Sequence, residues 1–269
     1  MIRFILCLIH LILFLVCMLP VRFVLWFGCE FGQALMPSKE KAEELRLKKD
    51  LICLRLVQWA LRVVRVIAGT EAEIVGIENI PTDRPVLFIG NHRSFFDVIL
   101  SYPQCPLPTG YISKKELGYV PMLAGMMSDL HCLFLDRNDI RQGLQIILEA
   151  IELVKTGTSS IAIYPEGTRY GKGIKSLPED FKDPILPFHE ASFKIAQKTG
   201  CMVVPMTMVG SERIFEDHLP AVKKARIILT YGRPVDAGAL SKEELKTLPE
   251  RIRQEMIETY AEAEKRLSV

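Results

Sequence analysis

The chain lacks an excess of charge of either sign: 34 Lys and Arg stand against 32 Asp and Glu, a formal net of +2. A dedicated nucleic-acid binder carries a basic surplus, so that class is excluded and no nucleic acid is expected as a partner. The seven cysteines (Cys7, Cys17, Cys29, Cys53, Cys105, Cys132 and Cys201) are odd in number and form no C-x-x-C pair. Neither a disulfide framework nor a zinc site is indicated, and a reducing compartment fits. The five histidines, His10, His92, His131, His189 and His218, show no ligand spacing, so no metal is expected. No G-x-S-x-G stands at a strand–helix elbow, which removes a soluble α/β hydrolase from consideration. Internal repeats and low-complexity tracts are missing too. What remains, 269 residues that are 49% hydrophobic, is enough for one large domain plus an appendage.

One long hydrophobic run is present. Residues 4–28 are apolar except for His10 and Arg22, and Pro20 predicts a break in any helix there. No small-residue cleavage site follows, so a removable signal peptide is not expected. As one helix the run is long enough to span a bilayer; as two arms bent at Pro20 it would be re-entrant or interfacial. Residues 33–50 are polar and read as a linker or an exposed helix start. Between Leu51 and Gly69 no acidic residue occurs, and Arg55, Gln58, Arg62 and Arg65 share one helical face. That basic stripe is expected in an anionic membrane interface; a helix packed on the domain is the alternative. Residues 1–70 are therefore read as a membrane-associated two-helix segment.

Residues 71–269 change character. Short β-rich runs ("AEIVGI", "PVLFIG", "GYIS", "CLFLD", "SSIAIYP", "CMVVPMTMVG", "ARIILTYG") alternate with helical stretches near 97–103, 115–128, 139–155, 188–199 and 241–267. This alternation predicts an α/β domain with a mixed, mostly parallel sheet flanked by helices. In such sheets ligands bind at the carboxyl ends of strands, and polar motifs do follow the runs there.

Asn91-His92 and Asp97 stand between "VLFIG" and an apolar helix. Ser94 with Asp97 resembles a capping box, which places the carboxylate near His92. The pair is either a capped helix with a histidine in front, or a general base with its orienting carboxylate. In Tyr164-Pro165-Glu166-Gly167-Thr168-Arg169, Pro165 and Gly167 predict a tight turn, and Arg169 offers a phosphate fork or a surface ion pair. Arg137 after "FLD" and Lys114 after "YIS" supply cations at two more strand ends, or ordinary pairs with neighbouring acids. Val204-Pro205 lines an apolar slot or ends a strand.

Taken in order, Asn91-His92-x4-Asp97, Lys114-x-Glu116-Leu117-x3-Pro121, Phe134-Leu135-Asp136-Arg137, Pro165-Glu166-Gly167-Thr168-Arg169 and Val204-Pro205 resemble the glycerophospholipid acyltransferase family, most of all its bacterial 1-acylglycerol-3-phosphate members. The resemblance covers about residues 71–232. It implies His92 as general base and Asp97 as its orienting partner, with no acyl-enzyme. It also implies Lys114 on the oxyanion, and Arg137, Glu166, Gly167, Thr168 and Arg169 around the acceptor phosphate. Val204 and Pro205 would line the acyl tunnel. No cofactor is implied; acyl-CoA or acyl-acyl-carrier-protein is the co-substrate, a membrane lipid the acceptor, and the cytoplasmic face of the cell membrane the expected location. The chain departs from the family pattern at Tyr164, where Phe is commoner, and in the longer stretch 170–193. There His189 and Ala191 replace the usual Lys and Gly, removing a cation from the acceptor side. The competing readings are another acceptor (glycerol 3-phosphate, another lysophospholipid or a lyso-aminolipid) and a non-catalytic membrane-binding module.

Overall fold

The computed structural model describes residues 1–36, 38–171 and 181–268. The first two elements form an antiparallel helical hairpin, α1 (Ile2–Leu35) against α2 (Lys39–Ala68). Pro20 does not break α1, contrary to expectation. An interior proline removes one backbone bond, a cost of about 3 kcal/mol. Here both halves of the helix are held from outside: His10 Nε2 lies 3.1 Å from the Ala60 carbonyl of α2, and Arg22 pairs with Asp129 of the α/β domain. Thus the two residues that interrupt the apolar run both face inward. Only 11% of α1's most apolar window is buried, so it is not a core helix, and it is long and apolar enough to cross a membrane. Leu13 and Phe27 are 58% and 55% exposed on this face. Replacing both with Glu should abolish co-flotation with liposomes without lowering thermal stability; unchanged flotation would contradict membrane association through α1.

The polar stretch 39–50 is the first part of α2, capped by Ser38, rather than a linker. Part of the basic stripe packs on the domain, as in the alternative reading. Gln58 is fully buried and donates to the Tyr102 and Cys105 carbonyls at 3.3 and 2.7 Å, and Arg62 donates to the Pro103 carbonyl at 3.0 Å. Those carbonyls lie just after a short helix of the domain, so Gln58 and one edge of Arg62 dock on protein, while Arg55 remains exposed. Buried Asp50 of α2 adds a bond to His131 Nε2 at 2.9 Å. The hairpin is not a separate body: Cys7, Leu54 and Val64 share one apolar cluster with Phe88, Leu100 and Tyr231 of the domain.

The domain alternates as the periodicity predicts. Its elements are β1 (Glu71–Val75), β2 (Leu87–Gly90), α3 (Phe96–Ser101), β3 (Thr109–Lys114), α4 (Pro121–Asp129), β4 (Leu133–Leu135), α5 (Ile140–Lys155), β5 (Ser160–Ile163), α6 (Lys194–Thr199), β6 (Met202–Val209), β7 (Arg226–Tyr231), β8 (Val235–Asp236) and α7 (Lys242–Leu267). The strand order is β1-β7-β6-β2-β5-β3-β4, with β8 beside β6. Strands β6, β2, β5, β3 and β4 run parallel; β7 turns antiparallel to β6 and carries β1 with it. The sheet is mixed and mostly parallel, flanked by helices. On the face away from the hairpin, Ile146 and Ile151 of α5 and Ile252 and Met256 of α7 pack on Leu87, Ile161 and Val203. With both faces covered, the central strands can be continuously apolar.

The strand order positions the site. β2 lies between β6 and β5, so the loops leaving the carboxyl ends of these three strands converge.

Candidate active site

His92 follows the carboxyl end of β2. Its Nδ1 is 2.8 Å from Asp97 Oδ2. The same oxygen accepts the backbone N–H of Arg93 at 2.7 Å and of Ser94 at 2.8 Å, and Oδ1 accepts the Ser211 hydroxyl. Asp97 is 1% exposed, yet four donors surround it. A carboxylate so placed fixes Nδ1 as the protonated nitrogen and leaves Nε2 as the basic one. Nε2 has no hydrogen-bond partner among the described residues. The ring stacks on Tyr164 at 4.4 Å and 13°, which fixes its plane. Gly90 makes room for that stack, since a Cβ there would meet Tyr164 Cε1 at 2.7 Å. Ser94 caps α3 differently from the predicted box: its hydroxyl accepts from Phe96 N at 3.0 Å, and Asp97 supplies the return bond to Ser94 N.

The turn after β5 lies beside this loop. Gly167 N donates to the Tyr164 carbonyl at 3.1 Å, with Gly167 at φ +68°, a conformation that favours glycine. Thr168 follows, half-buried. His189 packs its ring over Gly167, the imidazole standing where the family commonly has a lysine; residues 172–180 of the longer stretch lie outside the described residues. Glu166 is corrected. It is no phosphate neighbour: its carboxylate turns inward and accepts the backbone N–H groups of His92 and, at 2.8 Å, of Leu186. It ties the His92 loop to the β5 turn.

Burial pushes Glu166 up to about 8 from the usual 4.5, against the lowering by those two amides. A carboxyl whose pKa rises on folding stabilises the folded state fully below pH 4.5 and loses that contribution as pH climbs through about 8. Glu166→Gln removes this titration. Thermal melts of both proteins across that range should therefore converge or cross as pH rises; parallel curves would contradict the assignment.

The arginines meet on one rim. Arg169 donates Nη1 to Glu216 at 2.9 Å, and its guanidinium lies 4.0 Å over the Phe95 ring. Partial burial lowers the pKa of Arg137; Glu116 opposes this and the nearby Arg169 charge lowers it further. Arg169 thus lies near enough for its charge to act on Arg137, and two neighbouring guanidinium groups suit a multiply charged anion. Asp136 pairs with Lys115 rather than with Arg137. Lys114 lies beside the rim: its ammonium pairs with Glu116 at 3.0 Å and makes no hydrogen bond or ion pair to the His92 loop among the described residues.

Val204 and Pro205 do not line a tunnel. They lie mid-sheet in β6, in register with Phe88 and Ile89 of β2, and Val204 is wholly buried. An apolar groove of about 170 Å³ lies instead between α1 and α3, lined by Phe4, Leu8, Leu11, Phe95, Ile99 and Phe215. It reaches the His92 loop at Phe95. A larger open cleft of about 500 Å³ at the β1 edge, with Arg65 and Arg226, contains none of these residues.

Sequence reading missed Ser211, Glu216 and the Tyr164 stack. Ser211 and Glu216 follow β6, and a polar cluster after "TMVG" carried the same strand-end signal as the motifs that were read.

A family model described as Acyltransferase matches residues 71–209. A 1-acyl-sn-glycerol-3-phosphate acyltransferase of Saccharomyces cerevisiae is 26% identical over 212 residues, spanning 77% of this chain and 67% of its own. One of Helicobacter pylori is 30% identical over 176 residues, 65% of this chain and 70% of the other. The crystal structure of the 1-acyl-sn-glycerophosphate (LPA) acyltransferase PlsC of Thermotoga maritima superposes with a TM-score of 0.61 at 25% identity, covering 96% of this chain and 98% of that one. With more than half its length matched and the strand-end motifs assembled around His92, the chain belongs to the acyltransferase family.

Proposed function

We propose that this O-acyltransferase moves a fatty acyl group from an acyl thioester to the free hydroxyl of 1-acylglycerol 3-phosphate, forming phosphatidic acid for phospholipid synthesis. The observation that carries the reading is the His92–Asp97 bond, which leaves Nε2 without a hydrogen-bond partner among the described residues. Nε2 takes the proton of the acceptor hydroxyl as its oxygen attacks the thioester carbonyl. The tetrahedral intermediate collapses, the C–S bond breaks, and the imidazolium returns the proton to the departing thiolate. Asp97 stabilises the imidazolium meanwhile. No enzyme nucleophile is required, because the substrate brings its own.

Arg169 and Arg137 hold the acceptor phosphate as forks, which fixes the hydroxyl against Nε2. Lys114 extends the cationic rim toward the donor. The groove between α1 and α3 gives an acyl chain a path from the membrane to the catalytic loop. The donor is acyl-CoA or acyl-acyl-carrier-protein, both made in the cytoplasm, so the domain sits on the cytoplasmic face of the cell membrane.

The test is a panel of acceptors with purified protein: 1-acylglycerol 3-phosphate, glycerol 3-phosphate, lysophosphatidylcholine and monoacylglycerol. The first is expected to give the highest kcat/KM, and Arg169→Ala should raise its KM at least tenfold, the effect of losing a charge-assisted fork. Equal kcat/KM for monoacylglycerol would overturn the acceptor assignment.

A further inference from the structure

We infer that Glu216 is a positioning residue of the acceptor site, fixing which edge of Arg169 faces the phosphate. The inference rests on Arg169 being the acceptor-phosphate ligand. Glu216 begins a short 3-10 turn after β6 and collects three donors. Oε2 accepts the Ser94 hydroxyl; Oε1 accepts both Phe95 N–H and Arg169 Nη1, each at 2.9 Å. Ser94 and Phe95 are the residues that join His92 to α3. One carboxylate therefore ties the phosphate arginine to the loop of the base.

The arrangement constrains the guanidinium on two sides. One face lies on the Phe95 ring, and Nη1 is drawn to Glu216. A guanidinium binds phosphate through two parallel N–H groups on one edge. The Nε–Nη2 edge is the one with neither nitrogen engaged among the described residues. Glu216 thus selects the edge presented to substrate. Its own side chain is 15% exposed against 38% for Arg169, so the carboxylate lies beneath the arginine rather than in front of it. Its support is rigid: Ile214 is fully buried, Ser211 bonds Asp97, and Phe215 stacks on Phe4 of α1 at 5.6 Å and 8°. Through Phe215 the membrane helix buttresses the turn that sets Arg169.

Because Oε1 alone holds Phe95 and Arg169, glutamine can keep both bonds with its carbonyl oxygen, its amide donating to Ser94 Oγ. Alanine loses all three. The experiment is steady-state kinetics of the full-length protein in mixed micelles, varying 1-acylglycerol 3-phosphate and donor separately, with monoacylglycerol as the phosphate-free acceptor. Glu216→Ala is expected to raise the acceptor KM roughly tenfold, as for a lost charge-assisted bond, and to shrink the preference over monoacylglycerol by a similar factor. Donor KM should stay within about twofold, and Glu216→Gln within about threefold of wild type throughout, since its bonds to Phe95 and Arg169 persist. If alanine fails to fold, Glu216→Asp, whose carboxylate is one methylene short of Arg169, should show the same rise in acceptor KM.

A lower acceptor KM in Glu216→Gln would mean that the carboxylate competes with the phosphate, and would overturn the inference. So would an unchanged acceptor KM in both the alanine and aspartate variants, whatever their stability. A wild type with no preference for the phosphorylated acceptor would overturn the acceptor reading and the role of Glu216 together; a wild type with that preference and unaffected variants would overturn Glu216 alone.

Discussion

His92→Ala is expected to lower kcat for acyl transfer about 10²- to 10⁴-fold, the range that a positioned general base contributes. KM for either substrate should change little, because His92 acts on the hydroxyl proton and not on the phosphate or the acyl chain. The geometry leaves no replacement. Nδ1 is committed to Asp97 at 2.8 Å, and the ring is clamped against Tyr164, so Nε2 is the one basic atom the loop presents. The fold should tolerate the change, since the loop is held by backbone bonds rather than by the imidazole: His92 N–H to Glu166, and Tyr170 N–H to the His92 carbonyl at 2.8 Å. Steady-state kinetics varying donor and acceptor in turn, beside a thermal melt, check the kinetic and the folding expectations. Full activity in a folded variant would remove His92 from the mechanism.

The second large effect separates charge from scaffolding at Asp97. Asp97→Asn is isosteric. Its carbonyl oxygen can take the place of Oδ2 and accept from Arg93 N, Ser94 N and His92 Nδ1, while its amide donates to Ser211 Oγ. The variant should fold, with a melting temperature close to wild type. A neutral amide cannot balance the imidazolium that forms as the hydroxyl is deprotonated, so kcat should still fall by about 10²-fold or more, toward the range lost in triads on the same change. Asp97→Ala differs in kind. It strands several buried donors at about 1–3 kcal/mol each and should unfold at markedly lower temperature. Equal kcat for Asp97→Asn and wild type would mean that the carboxylate only builds the loop.

The elements of the α/β domain were legible because each strand is a short β-rich run between turn residues, and seven such runs became β1 to β7 in order. β8 escaped because it has only two residues. What the sequence could not convey was adjacency. An apolar run reads the same whether it lines a channel or stands mid-sheet, so Val204 and Pro205 were misplaced. A basic stripe reads the same whether lipid headgroups or backbone carbonyls lie opposite, and the docked loop at Tyr102–Cys105 accounts for Gln58 and Arg62 within it. Glu166 was read by its motif as facing the acceptor, whereas the turn points it at the amides behind. The place of β6 beside β2 brings Ser211 onto Asp97 and Glu216 onto Arg169; that order is a property of the sheet and has no local signature.

The central claim is direct transfer from thioester to acceptor hydroxyl through His92, with no acyl-enzyme. The most direct measurement incubates purified protein with an acyl-labelled thioester, with and without 1-acylglycerol 3-phosphate, then quenches and separates lipid from protein. Label is expected in phosphatidic acid only when the acceptor is present, and never on the protein. Label on the protein in the absence of acceptor, or no phosphatidic acid in its presence, would contradict the account.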